Sequence, residues 1–265
     1  MGNISYKPLI ESMTWSYSRL TSFESCPEAW FKNYIQHTPE RSTFYASYGS
    51  YVHQILEDYY TGALSSEDML AEFVSGFDRH VVGMRPAQST VSKYVEGAID
   101  YLKSFTPLPY NMLEVESKMS FELGGKPFVG IIDYLGERDG NLYLVDNKSG
   151  DISPRSNRKK PTIKDVELDE KLRQLYLYST PVYEKYGKYP SYLCFNCFRT
   201  GKFICEPFVS SAYESAVDWA LETIHLIENE EYFAADPEYF KCHWLCGYYD
   251  ICEDYNSYLS ERRRG

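Results

Sequence analysis

In the stretch "LYLVDNKSG" (Leu142 to Gly150), Asp146 and Lys148 stand two residues apart at the end of an apolar run. Successive side chains of a strand alternate between its faces. Leu142, Leu144, Asp146 and Lys148 therefore share one face, and Tyr143, Val145 and Asn147 share the other. A second carboxylate, Asp133, closes the preceding apolar run "GIID" (Gly130 to Asp133). Two carboxylates at neighbouring strand ends can share a hard divalent cation, Mg²⁺ or Mn²⁺, through oxygen ligands. A lysine on the same face can orient or help deprotonate an attacking water, or neutralise charge building on a phosphate. A strand that merely ends in solvated charges has the same local pattern, so the surrounding elements decide.

Those elements follow from periodicity and punctuation. Three strands are expected at about 112–123, 127–136 and 141–148, the last two joined by a hairpin turn in "ERDGN". Ahead of them, residues 15–36 form helical stretches around Cys26-Pro27, where Pro27 suits a first helical turn. From Gly49, Val52, Ile55, Leu56 and Tyr59 fall at helical spacing up to Gly62, and 66–82 and 89–105 are two further helices. Residues 151–163 are a polar, basic loop, 165–187 a helix, and "PSYLCFNCFRTGKFICEPF" a second hairpin turning at Thr200-Gly201. A helix at 211–230 and a cysteine-bearing tail complete the chain. The order implies an α/β fold with a mixed central sheet flanked by helices. It is expected as one domain over 1–265: a helical part (1–110), an α/β core (111–208), and a C-terminal helix with cysteine cluster (209–265).

The composition is 43% hydrophobic and 25% charged, ordinary for a globular protein. The net charge of −11, from 27 Lys+Arg against 38 Asp+Glu, argues against non-specific coating of nucleic acid. A local basic groove stays open to the chain, and two clusters qualify: "RSNRKK" (Arg155 to Lys160) and "RRR" (Arg262 to Arg264). No apolar run approaches the roughly 20 residues that cross a bilayer. The start "MGNISYKPLIESMTW" lacks a signal-peptide pattern, and its likeness to a myristoylation start is only superficial. A cytoplasmic protein without membrane partners is expected. In that compartment disulfides are not expected among the seven cysteines. Cys194, Cys197 and Cys205 are expected as packing residues, with Cys194 and Cys197 on opposite strand faces. Cys242, Cys246 and Cys252 crowd into eleven residues.

The whole arrangement resembles the PD-(D/E)XK nuclease superfamily, specifically its RecB-like branch. Its strand motifs G-x-x-D and V-D-x-K-[ST]-G correspond to "GIID" and "VDNKSG". Its upstream helix G-x-x-x-H-x-x-L-E corresponds to "GSYVHQILE", and its later Q-L-x-x-Y to "QLYLY", Gln174 to Tyr178. Its opening motif corresponds to "SYSRLTSFESCPEAW". The resemblance implies a restriction-endonuclease-like core, with Asp133 and Asp146 as metal ligands and Lys148 as the catalytic lysine. It implies His53 as a ligand or organiser, and Gln174 and Tyr178 as residues that contact substrate phosphate or brace the lysine. An acidic ligand on the first strand is Glu116, with Glu114 as the alternative. Asn147, where the branch has a hydrophobic residue, is a mild departure. Cys26 with Cys242, Cys246 and Cys252 is similar to the iron–sulfur set of the AddB nuclease domain and CRISPR-adaptation exonucleases, implying a [4Fe–4S] cluster, with Zn²⁺ as the alternative. The C-x₃-C gap is one residue longer than usual, and His243 would restore it. The implied function is a metal-dependent DNA nuclease, an exonuclease on single-stranded DNA ends, of bacterial, archaeal or phage origin. The alternatives are a DNA end-binding recombination or replication accessory with a degenerate nuclease site, and a structural metalloprotein. The presence of His53, Asp133, Asp146 and Lys148 speaks against degeneracy.

Overall fold

A computed structural model describes residues 6–262. Met1 to Ser5, which carry most of "MGNISY", and Arg263 and Arg264 of the C-terminal basic cluster lie outside the described residues. Helix α1 (Lys7–Glu11) leads into α2 (Tyr17–Ser25), which Ser16 caps by accepting a hydrogen bond from Arg19 N, and α3 (Pro27–Tyr34), which starts on Pro27. Next come α4 (Phe44–Tyr60), α5 (Met69–His80) and α6 (Gln88–Lys103). Helix α4 begins ahead of Gly49, where the sequence pattern placed its start, because the Thr43 hydroxyl accepts Ala46 N–H and caps the earlier turn.

The sheet has the order β1-β2-β3-β4-β5, with β1 (Asn111–Leu123), β2 (Lys126–Arg138), β3 (Asn141–Lys148), β4 (Tyr192–Cys197) and β5 (Lys202–Pro207). All pairs are antiparallel except β3–β4, which is parallel. That parallel pair requires a crossover, supplied by α7 (Ile163–Tyr186). Thr162 and Asp165 form a capping box at its start, and Gly187 ends it at φ +70°, a left-handed conformation that glycine adopts without steric cost. After the sheet come α8 (Ser210–Asn229), a π-helical turn (Lys241–Leu245) and α9 (Glu253–Arg262).

Alternation along the strands sorts the two faces of the sheet. Leu142 and Leu144 point into the main core with Trp15, Trp30, Leu172 and Ile224. Tyr134, Val145 and Cys194 point the other way, toward Tyr60 of α4. Beyond them α4, α5 and α6 close a second core around Phe44, Tyr48 and Phe73, into which Phe198 plugs. No helix among the described residues is long and apolar enough to cross a membrane.

The cysteines of the second hairpin differ in part from expectation. Cys194 and Cys205 are directly opposed in the β4–β5 register and form a disulfide, whereas sequence reasoning had both as unlinked packing residues. Strand register brings the two sulfurs together, and no spacing rule within the chain announces it. Cys197 is the packing residue expected, on the main-core face opposite Cys194.

Candidate active site

The β2–β3 ladder pairs Tyr134 with Val145 and then stops. Where the next rung would form, Asn147 N–H donates instead to Asp133 Oδ2 at 2.7 Å. The strands thus part just where Asp133 and Asp146 face each other. Asp146 is buried, not at an exposed strand end. Its Oδ1 accepts from Gln174 Nε2 at 2.9 Å, and Gln174 Oε1 accepts from Lys148 Nζ at 2.9 Å. Lys148 Nζ lies 2.7 Å from Asp146 Oδ2, closing a triangle of carboxylate, amide and ammonium. Only one orientation of the Gln174 amide satisfies both neighbours, since a carboxylate accepts and an ammonium donates. Although the ammonium is near, Asp146 Oδ2 is buried without a directed hydrogen bond. A buried carboxylate oxygen with an unused lone pair is available to a cation.

Three further groups converge beside it. Ligand atoms of His53, Glu116 and Asp133 all lie within 4.8 Å of one another. His53 comes from α4, with Nδ1 3.6 Å from Asp133 Oδ2. Glu116 comes from β1 at φ 43°, a left-handed conformation uncommon for a side-chain-bearing residue. The competing Glu114 is engaged by Lys185 and by Tyr186 Oη on α7. The β1–β2 register shift between Met112 and Glu114 helps set which acid enters the site.

Burial, then the neighbouring Asp146 charge, pushes the Asp133 carboxyl well above the ordinary range. Burial, then Glu57 and Asp146, pushes Glu116 to about 7. Burial also lowers His53, with Asp146 opposing and Lys148 adding to the effect, so that its imidazole is neutral, the form that ligates metals. For Lys148 burial acts downward, but the adjacent Asp146 carboxylate, 2.7 Å away, outweighs it and the net shift is upward. The lysine therefore stays an ammonium at neutral pH. Crowded carboxylates that resist ionisation, around donors with free lone pairs, are what a divalent cation relieves.

Gln174, expected either at substrate phosphate or against the lysine, accepts the Lys148 Nζ hydrogen bond. Tyr178, one helical turn on, is buried with its ring over Gly130, where a Cβ would clash with it. Burial, then Asp146, raises its hydroxyl to about 12. Gly49 brings α4 against β3, since a Cβ there would sit 3.3 Å from Ser149 Oγ. An open cleft of about 390 Å³ lies over the site, walled by Tyr45, Gly49, His53, Glu57, Glu116 and Ser149. Tyr45, Glu57 and Ser149 were not singled out from sequence. Their types carry no signature, and only the packing of α4 on the end of β3 brings them together.

Residues 14–253 match the family described as the PD-(D/E)XK nuclease superfamily. The chain belongs to the PD-(D/E)XK nuclease superfamily. Among solved structures, a protein from Eubacterium rectale described as a candidate exonuclease is similar at 13% identity and a TM-score of 0.49, covering 97% of this chain and 91% of that one. A structure called SSO0001 is similar at 18% identity and a TM-score of 0.32, covering 89% of this chain and 94% of that one. No curated protein matches the sequence. Membership places the chain among metal-dependent nucleases with the five-stranded mixed sheet described above.

The other expected groups of this PD-(D/E)XK chain are distributed as follows. In the basic loop, Arg155 is tied to Asp169 at 2.6 Å and Glu206 at 2.7 Å, so it is a structural residue; Arg158, Lys159 and Lys160 are exposed. Cys26 precedes Pro27 at the start of α3, and Cys242 and Cys252 share a small buried cluster with Tyr255. The Cys242, Cys246 and Cys252 sulfurs each accept a backbone N–H at 3.4 Å, from Glu238, Tyr248 and Tyr255. Burial raises all three thiols, those of Cys246 and Cys252 to about 11, and the nearby Cys26 adds to the rise at Cys242 and Cys246. The longer C-x₃-C gap is taken up by the π-helical turn, closed by Cys246 N–H donating to Lys241 O. That turn sends Cys242 inward and leaves His243 lining a separate cavity beside Arg41 and Trp244.

Proposed function

We propose that this protein is a divalent-metal-dependent deoxyribonuclease acting as an exonuclease on single-stranded DNA ends. The convergence of His53, Glu116 and Asp133 ligand atoms within 4.8 Å, beside the Asp146–Gln174–Lys148 triangle, carries this reading. The preference for ends and single strands rests on the RecB-like order of motifs. His53, Glu116, Asp133 and Asp146 would hold the cation. Three carboxylates suit Mg²⁺ or Mn²⁺, and the imidazole favours Mn²⁺ of the two. When bound, the cation supplies Lewis acidity toward a phosphodiester.

The chain supplies the rest. Lys148, held protonated by Asp146, presents a fixed positive charge where negative charge develops on the phosphate, and acts as an electrostatic stabiliser instead of a proton acceptor. Gln174 is a positioning residue that keeps the lysine and Asp146 in register. Tyr178 packs the floor behind them. Cys26, Cys242, Cys246 and Cys252 would hold a [4Fe–4S] cluster, with Zn²⁺ as the alternative. The backbone N–H donors at three of the sulfurs favour thiolate ligation. The role of such a cluster is to clasp α3 to the C-terminal tail.

The test is degradation of linear against circular single-stranded DNA. The expected result is loss of the linear form only, with Mn²⁺ or Mg²⁺ present, abolished by EDTA and not restored by Ca²⁺. Cutting of the circle would make the enzyme an endonuclease. Retention without cutting of either would favour the end-binding accessory.

A further inference from the structure

Arg199 occupies the β4–β5 turn, a segment to which the catalytic reading assigns nothing. Four contacts fix it. Its Nε donates to Ser149 O at 2.9 Å, directly after the Lys148 strand. Its guanidinium lies 4.7 Å over the Tyr94 ring of α6. Its neighbour Phe198 is buried in the helical core and packs 5.8 Å from the His53 ring. Its carbonyl rests on Gly97, where a Cβ would clash with it. A glycine inside a helix costs about 1 kcal/mol relative to alanine, and here it admits the Arg199 turn.

What the guanidinium lacks is an anion. Among the described residues no carboxylate makes an ion pair with Arg199, and Asp151, whose carboxyl feels its charge, is held by Lys202 at 2.6 Å. A half-buried, pre-oriented guanidinium with unused Nη donors is matched to a phosphate, which it binds by a fork of N–H groups. The position fits. Ser149 forms part of the cleft wall, and Tyr94, beneath the guanidinium, packs 5.3 Å from Tyr45, another wall residue. Among the described residues no lysine or arginine lines the cleft itself, whose wall carries Glu57 and Glu116. In a chain of net charge −11, a strand entering that cleft needs a cation at its edge.

We propose that Arg199 binds a non-scissile phosphate of the nucleic-acid strand entering the cleft. This rests on the nuclease reading above and adds to it a substrate-holding residue. Losing a contact made equally in the ground and transition states raises KM and leaves kcat nearly unchanged. Arg199→Gln, which keeps a donor for Ser149 O but no charge, should raise KM for single-stranded DNA about tenfold or more, with kcat little changed. On the inactive Asp146→Asn background, the dependence of log binding constant on log salt should flatten by about 0.7 for single strands, the value of one phosphate contact. Arg199→Lys should keep the wild-type salt slope while raising KM. A purely structural arginine would give both variants the same slope. Wild-type KM and salt slope in Arg199→Gln, with Asp146→Ala inactive, would overturn this assignment alone. Full activity in Asp146→Ala would overturn the active site on which this assignment is built, and absence of cleavage by the wild type would overturn the nuclease reading itself.

Discussion

At the residue scale the site is a set of acids that the fold keeps from ionising freely. Glu116 is the most tractable. Its carboxyl is raised to about 7 by burial first and then by Glu57 and Asp146, against an ordinary 4.5. Between those values the folded state holds a proton that the unfolded state has lost. The stability of the metal-free protein therefore falls as pH rises through that window and levels off above it. Glu116→Gln removes the penalty. In EDTA at pH 8 the variant should be more stable than wild type by on the order of 1 kcal/mol, allowing for solvent screening of a half-exposed group. At pH 4 the two should converge. The same proton must leave when metal binds, so Mn²⁺ affinity of the wild type should climb with pH up to about 7 and that of Glu116→Gln should be weak throughout. Urea unfolding and Mn²⁺ titration across pH check both; parallel pH profiles for the two proteins would show that Glu116 does not titrate in the site.

At the element scale, the strand pattern made β1, β2 and β3 legible almost to the residue, while the convergence of Glu116 and Asp133 with His53 of α4 depends on breaks in that pattern, at Glu116 with φ 43° and at Asp133 between Ile132 and Tyr134. What sequence left open was settled by register. Glu114 and Glu116 are indistinguishable as letters, and the irregular β1 ladder separates them. The Cys194–Cys205 link and the Arg155 ion pairs likewise depend on which strand or helix lies opposite. The C-terminal cysteines were conspicuous by density, but the reason their spacing is one residue longer is a π-turn, which no composition rule announces. If the four thiols hold a cluster, it cross-links positions more than 200 residues apart. On a chain-entropy argument this is worth about 4–5 kcal/mol, as for a disulfide of comparable loop. An anaerobic preparation should carry about four irons per chain, and Cys26→Ala should lose iron and unfold at lower denaturant. Iron retained in Cys26→Ala would remove that residue from the set, and one zinc per wild-type chain would make the clasp a zinc site.

At the scale of the whole molecule, a mixed sheet carries helices on both faces, and the cleft opens where α4 meets the end of β3, beside the point at which β2 parts from it. The large core on one face holds Asp146, Lys148 and Gln174 rigid, while α4 on the other delivers His53 to the same spot. A chain of net charge −11 cannot hold nucleic acid by general attraction, so its affinity must come from this cleft and its edge. The central claim is that Asp146, through the cation and Lys148, stabilises the transition state of phosphodiester cleavage. Its most direct test is single-turnover cleavage of an end-labelled single-stranded oligonucleotide in Mn²⁺ by wild type and Asp146→Ala, with the fold of each verified by thermal unfolding. The account predicts a rate lower by about 10²–10³ or more in the variant; a folded Asp146→Ala protein that cuts at the wild-type rate would contradict it.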